Sequence, residues 1–216
     1  MAQRDSGYPR QADELYETPK WVAKVVAPWL RVQSVREIWE PAAGPGRLAA
    51  ALWEEGFLVH ATSANFFTTE KIPAVDAIVT NPPYGRSRNG NVAAAFVRTA
   101  LGMRIPIVAM LMPVDFDSGK TRQDIFRHCS AFIGKIVLLD RIVFFQRPGA
   151  APSTNHAWFL WGHGRRQMRP WIAYGLENGE EDASQIWIGS GDSQSEHFGD
   201  GPLGPAPAPS HRGRAK

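Results

Sequence analysis

The chain is poor in the residues that staple or anchor a protein. It carries one cysteine, Cys129, in 216 residues, so an internal disulfide is excluded. A lone thiol suits a reducing compartment, and a cytoplasmic location is expected. Cys129 falls in a helix-like stretch and reads as a core or half-buried side chain. No apolar run reaches the roughly eighteen residues that a membrane helix needs, and the first residues lack the basic-then-apolar order of a secretory signal. A soluble protein with no membrane partner is therefore expected. No Cys/His grouping has the spacing of a metal site, so no metal is expected. The six histidines are scattered, without the pattern of a Ser-His-Asp nucleophile. Neither sign of charge dominates, with 24 Lys and Arg against 21 Asp and Glu. The formal net charge is +3, which is compatible with nucleic acid without demonstrating it.

What is present is an alternation of apolar runs and helical patterns, which argues for an α/β fold. Lys20 to Val26 reads as a helix. A strand ends at Glu40, and a helix follows from Arg47 to Glu55 and stops at Gly56. Phe57–Thr62 and Val75–Thr80 read as strands, and Val92–Leu101 as a helix. Ile105–Met112 is almost wholly apolar, as a central parallel strand should be, with Pro106 at its start where a lost donor matters least. A further helix is expected near Thr121 to His128, a strand at Lys135–Leu139 and a loop from Arg141 to Pro152. A late strand is expected at Asn155–Trp161, with its aromatic residues filling the core.

Asn81-Pro82-Pro83-Tyr84 follows the strand Val75–Thr80. Open α/β sheets place ligands at the carboxyl ends of their strands, so the Asn81 amide is expected to face a crevice. Each Pro lacks an N–H, leaving only acceptors. A planar amino group entering there would meet the Asn81 side-chain oxygen and the Pro82 carbonyl. Both amino hydrogens would be bound, and the nitrogen lone pair would face a methyl donor. Tyr84 could stack on the ring that carries the amine. Taken alone, the same four residues also suit an ordinary loop with an aromatic at its rim.

A second constellation lies upstream. Glu40-Pro41-Ala42-Ala43-Gly44-Pro45-Gly46 joins a strand to a helix. Gly44 and Gly46 would let the backbone approach a ligand closely, and the helix start offers free N–H groups to a carboxylate. Glu40 is placed to accept hydrogen bonds from an ammonium. The dinucleotide fingerprint would need a third Gly where Ala49 stands. A plain strand-to-helix turn explains this segment equally well.

Together the two segments resemble the S-adenosylmethionine-dependent amino-methyltransferases, above all the DNA adenine-N6 group in its small phage or prophage forms. In that family a Glu/Asp-Pro-x-x-Gly-x-Gly turn holds the cofactor, and an Asn/Asp/Ser-Pro-Pro-aromatic motif holds the amine. A third likeness is Tyr16-Glu17-Thr18-Pro19 before the first helix, which in the family covers the methionine end of the cofactor. The same residues also suit a helix start, with Thr18 as cap and Pro19 in the first turn. The resemblance spans about Tyr16 to Trp161. It implies a Rossmann-like fold with a mostly parallel central sheet, helices on both faces and a late antiparallel strand. It implies S-adenosylmethionine as cofactor, DNA as partner and adenine N6 as target. Asn81, Pro82, Pro83 and Tyr84 would be catalytic. Tyr16, Thr18, Pro19, Glu40, Pro41, Ala42, Gly44, Gly46, Asn65 and Phe66 would hold the cofactor.

The chain departs from the family after its second strand. The family ends that strand in an acidic residue for the ribose hydroxyls; here Ser63-Ala64-Asn65 follows. Asn65-Phe66-Phe67 stands where an Asp-Phe/Leu pair would border the adenine. Cytosine N4, an RNA base, a protein glutamine and a catalytically silent nucleic-acid-binding relative remain as alternatives. Arg86 and Arg88 follow the catalytic motif, and Arg165 and Arg166 follow the late strand. All four could contact phosphates, or could simply belong to solvated loops and a charged sheet edge. The expected organisation is a flexible segment 1–15, a methyltransferase domain 16–174, a polar Gly-rich extension 175–198 and a disordered Pro/Gly-rich tail 199–216.

Overall fold

A computed structural model of the chain describes residues 18–87, 90–144, 155–163 and 171–175. Tyr16, Arg88, Arg165, Arg166, the expected N-terminal segment and nearly all of the expected extension and tail lie outside the described residues. Arg86 is described by its backbone only.

In chain order the elements are α1 Lys20–Val32, β1 Glu37–Glu40, α2 Arg47–Glu54, β2 Leu58–Ala61, β3 Ala77–Thr80, β4 Arg86–Ser87, β5 Gly90–Asn91, α3 Val92–Gly102, β6 Ile107–Pro113, β7 Phe132–Leu138, β8 His156–Gly162 and β9 Trp171–Gly175. Among the described residues, seven strands form one sheet in the order β2-β1-β3-β6-β8-β7-β9. All run the same way except β8, which is antiparallel to both neighbours, β6 and β7. The expected α/β sheet with a late antiparallel strand is therefore present. Strand β9, parallel to β7, lies beyond the last strand expected from the sequence.

The strands alternate their side chains between two cores, as period-two geometry requires. Ile38, Ala77, Val79, Ile107, Ala109, Leu111, Trp158 and Leu160 face α1 and α2. Trp39, Ile78, Val108, Met110, Met112, Phe159 and Trp161 face α3 and the segment around Phe116 to Phe126. Burial of each large apolar side chain contributes roughly 1.5–3 kcal/mol. Two of the buried indoles find partners: Trp158 Nε1 donates to Val22 O at 3.0 Å and Trp161 Nε1 to Ile125 O at 2.8 Å, whereas Trp29 Nε1 is buried without one.

Three local expectations change. Helix α1 continues past Val26 through Pro28 to Val32. The amide that Pro28 lacks would have bonded the carbonyl of exposed Lys24, which water can satisfy. Thr18 does not cap α1; the cap position is Pro19, with φ −62° and ψ 151°. Finally, no α-helix forms from Thr121 to His128. A short 3-10 turn at Lys120–Arg122 is followed by irregular turns, with bonds spanning three residues, Ile125 N to Arg122 O and Cys129 N to Phe126 O, and one spanning five, His128 N to Gln123 O. The Arg122 side chain folds back to donate to Phe116 O at 2.5 Å, which tightens this segment.

The connection from β2 to β3, residues 62–76, contains no α-helix, only a 3-10 turn at Phe66–Thr68. Edge strand β2 is thinly covered as a result, and Leu58 is 55% exposed.

Candidate active site

Strand β1 is flanked by β2 on one side and β3 on the other, both parallel to it. The chain leaves β1 in one direction and returns on the other, so a crevice opens beyond these strand ends. A cleft of about 410 Å³ lies there, within the range of small-molecule sites. Glu40, Pro41, Ala42 and Gly44 line it from the β1 turn. Asn65 and Phe66 line it after β2, and Asn81, Pro82, Pro83 and Tyr84 after β3. Thr18 closes it from the N-terminal side. Pro19 and Gly46 are not in the lining.

The β1 turn is built for close approach. Gly44 and Gly46 take φ of 51° and 82°, the left-handed region that glycine adopts without strain. Gly46 is the cap position of α2, no side chain caps that helix, and no atom stands within 4 Å of where a Cβ would sit. The first N–H groups of α2 are left for a ligand or water.

Glu40 is 1% exposed. Its Oε1 accepts from Thr80 Oγ1 at 2.5 Å and from Ala42 N at 3.1 Å. Its Oε2 is buried with no hydrogen-bond partner. Burial pushes the carboxyl up to about 8, while the bonds from Thr80 and Ala42 pull the other way. A buried carboxyl with one unused oxygen at the cleft lining suits a cationic group of a ligand. An orphaned acceptor, an open glycine turn and an uncapped helix start together fit an amino-acid-bearing cofactor.

Asn81 is tied at both ends of its amide. Nδ2 donates to Thr18 Oγ1 at 3.1 Å, and Oδ1 accepts from the Tyr84 hydroxyl at 2.5 Å. The Tyr84 hydroxyl is also 2.8 Å from Leu111 O. Its ring is half-buried beside the second core and still lines the cleft.

On the β2 side, Asn65 Oδ1 accepts from Phe67 N at 3.1 Å and caps the 3-10 turn. Phe66 is 2% exposed and stacks on Phe96 with ring centroids 4.2 Å apart. It is a wall set into the core. Phe67 is 47% exposed, meets the Phe96 ring edge-on at 5.4 Å and also lines the cleft.

Sequence reasoning missed Thr80, Arg47, Ser63 and Phe96, all but Thr80 in the lining. Thr80 was findable: a hydroxyl at the end of a strand adjacent to one ending in a buried carboxylate is a natural partner. Phe96 carries no such signal, because it reaches the cleft only through the packing of α3. Beyond Tyr84, β4 and β5 pair as a short antiparallel hairpin where a loop was expected. Asn91 then caps α3 by accepting from Ala94 N at 2.9 Å. Among the described residues, no cluster of His, Cys, Asp or Glu could hold a metal, and no helix is long and apolar enough to cross a membrane.

No protein-family model matches the chain, and no curated protein matches it in sequence. Solved structures do. A Listeria monocytogenes protein assigned as a class I S-adenosylmethionine-dependent methyltransferase aligns at TM-score 0.59 and 13% identity, over 82% of this chain and 70% of that one. A Pyrococcus horikoshii protein assigned as an RNA methyltransferase aligns at TM-score 0.54 and 14% identity, over 72% and 91%. A modification subunit assigned to a type I restriction enzyme of Vibrio vulnificus aligns at TM-score 0.53 and 14% identity, over 76% of this chain but only 47% of that one. The fold is the Rossmann-like fold of S-adenosylmethionine-dependent methyltransferases. At these identities the likeness establishes the fold alone.

Proposed function

We propose that the protein is an S-adenosylmethionine-dependent methyltransferase acting on a planar amino group, N6 of adenine in DNA. The observation that carries this reading is the pairing, in one cleft, of Glu40 with an unused buried oxygen and Asn81 with a fixed amide. Glu40 Oε2 would accept from the cofactor's ammonium, and the free N–H groups at the start of α2 would meet its carboxylate. Phe67 offers a ring face to its adenine. The cofactor supplies an electrophilic methyl group on a sulfonium.

The remaining work falls to this chain's residues. An exocyclic amine conjugated to its ring is a poor nucleophile. Asn81 Oδ1 and the Pro82 carbonyl would accept its two hydrogens and hold the lone pair toward the methyl group. As positive charge develops on nitrogen, those acceptors stabilise it without reorganising. A duplex base must be flipped out to reach them, at a cost of a few kcal/mol. Tyr84 would return part of that, since stacking on an aromatic contributes roughly 1–3 kcal/mol per base.

A silent nucleic-acid-binding relative is the second reading, and one observation favours it. Residues 63–65 contain no carboxylate for the ribose, and Asn65 Oδ1 is already used by Phe67 N.

Calorimetry with S-adenosylmethionine separates the two readings. Saturable micromolar binding supports the enzyme; absence of binding supports silence. Transfer of a labelled methyl to adenine-only and cytosine-only DNA, to RNA and to protein then identifies the substrate.

A further inference from the structure

Tyr84 is expected to act through its ring. Its hydroxyl has a separate place in the structure. That oxygen lies 2.5 Å from Asn81 Oδ1 and 2.8 Å from Leu111 O, so one phenolic proton is shared between two acceptors. Leu111 belongs to β6, a central strand, and is fully buried. The Tyr84 ring is backed by His156 on β8, 3% exposed, with ring centroids 6.1 Å apart. At the other end of the amide, Thr18 is 4% exposed and its Oγ1 accepts from Nδ2. A half-buried hydroxyl tied to a central strand and a buried threonine hydroxyl therefore bracket one side chain.

The bracket matters because the terminal torsion of Asn is soft and roughly two-fold. An untied Asn81 could turn its NH2 toward an incoming amine, and donor would then meet donor. A carbonyl oxygen has two lone pairs. With one engaged by Tyr84, the other is left for a group entering the cleft that Asn81 lines.

We propose that the Tyr84 hydroxyl, together with Thr18 Oγ1, is a positioning device that fixes the Asn81 amide in its acceptor-forward orientation before substrate arrives. This rests on the amine-acceptor role given to Asn81 above. It assigns Tyr84 two separable tasks: the ring faces the substrate, and the hydroxyl orients its neighbour.

Tyr84→Phe separates them, because it keeps the ring and removes the oxygen. If the ring alone matters, Phe is equivalent to Tyr. Under the proposal, kcat for methyl transfer falls about five- to tenfold, the scale of one lost neutral hydrogen bond, while KM for the nucleic acid is unchanged. Tyr84→Ala additionally raises KM. Thr18→Val lowers kcat in the same way, and Thr18→Ser restores it.

A second measurement does not depend on the substrate. In a 15N–1H spectrum of the full chain, the Asn81 side-chain pair, assigned by its loss in Asn81→Ala, should move toward the position of a solvent-exposed amide in Tyr84→Phe. A Tyr84→Phe protein with wild-type kcat, or with an unmoved Asn81 pair, overturns the proposal. A wild-type protein that methylates no DNA defeats the substrate assignment instead, and the amide resonances still decide whether the tie exists.

Discussion

Glu40 and Asn81 end neighbouring parallel strands and line the same cleft, yet they are prepared in opposite ways. Asn81 is neutral and tied at both ends of its amide, with Thr18 on its nitrogen and Tyr84 on its oxygen. Glu40 is ionisable, buried and half-engaged, with Oε2 unpartnered. One residue is set before any ligand arrives; the other is completed by one. The difference matches the chemistry proposed for each. A group that must orient an amine gains from rigidity. A group that must take up a cation can remain a neutral acid until the cation is there.

The sharpest way to break this contrast is to remove the Asn81 amide. Asn81→Ala should lower methyl transfer at least about a hundredfold, the scale of losing a preorganised transition-state contact. Calorimetric affinity for S-adenosylmethionine should stay within about twofold, since the residue is not asked to bind it. Equal loss of both would erase the division of labour.

Glu40 should respond to pH where Asn81 does not. Its carboxyl is ordinary near 4.5 when unfolded and sits at about 8 when folded. The folded protein therefore holds its proton more tightly than the unfolded chain. The stability this favours is full below pH 4.5 and declines as pH rises through about 8, with a slope of up to about 1.4 kcal/mol per pH unit. Thermal unfolding of the ligand-free protein across that window should show the decline, and Glu40→Gln should flatten it. The same substitution should weaken cofactor binding about tenfold, from the loss of one charge-assisted hydrogen bond. It should also abolish the gain in cofactor affinity expected of wild type as pH rises toward 8.

Ser63→Asp sharpens the comparison from the opposite side. It places a carboxylate after β2, where the cleft lining has none, and should tighten cofactor binding about three- to tenfold if the ribose hydroxyls reach it. Unchanged affinity would mean that the cofactor does not extend toward residue 63. The smallest effect is expected from Thr80→Val. It removes one donor from Glu40 Oε1, should cost about 1 kcal/mol in chemical denaturation and should move the Glu40 midpoint further upward.

Much of this architecture was legible because its signals are local. The Gly44 and Gly46 turn needs conformations that few residues adopt, and Asn81-Pro82-Pro83-Tyr84 combines rigidity with acceptors in four positions. The apolar run from Ile105 to Met112 could hardly be anything but a buried strand, and it became β6. Long-range arrangements were harder to see. The tie between Thr18 and Asn81 spans 63 residues, and the contact between Phe66 and Phe96 joins a 3-10 turn to α3. Neither leaves a trace in periodicity. The expected helix near Thr121 is replaced by irregular turns, in which the Arg122 side chain bonds Phe116 O and the backbone bonds span three to five residues. Phe66 and Phe67 are adjacent in sequence, and only the packing decided which is core and which faces the cleft.

The most direct test is to produce the full chain in a bacterial host without its own adenine methylation, digest the genomic DNA to nucleosides and quantify N6-methyladenine by mass spectrometry. The account predicts a clear signal with wild type and none with Asn81→Ala, while the purified variant still binds S-adenosylmethionine. Wild type without N6-methyladenine, or the Asn81→Ala variant with it, would contradict the account.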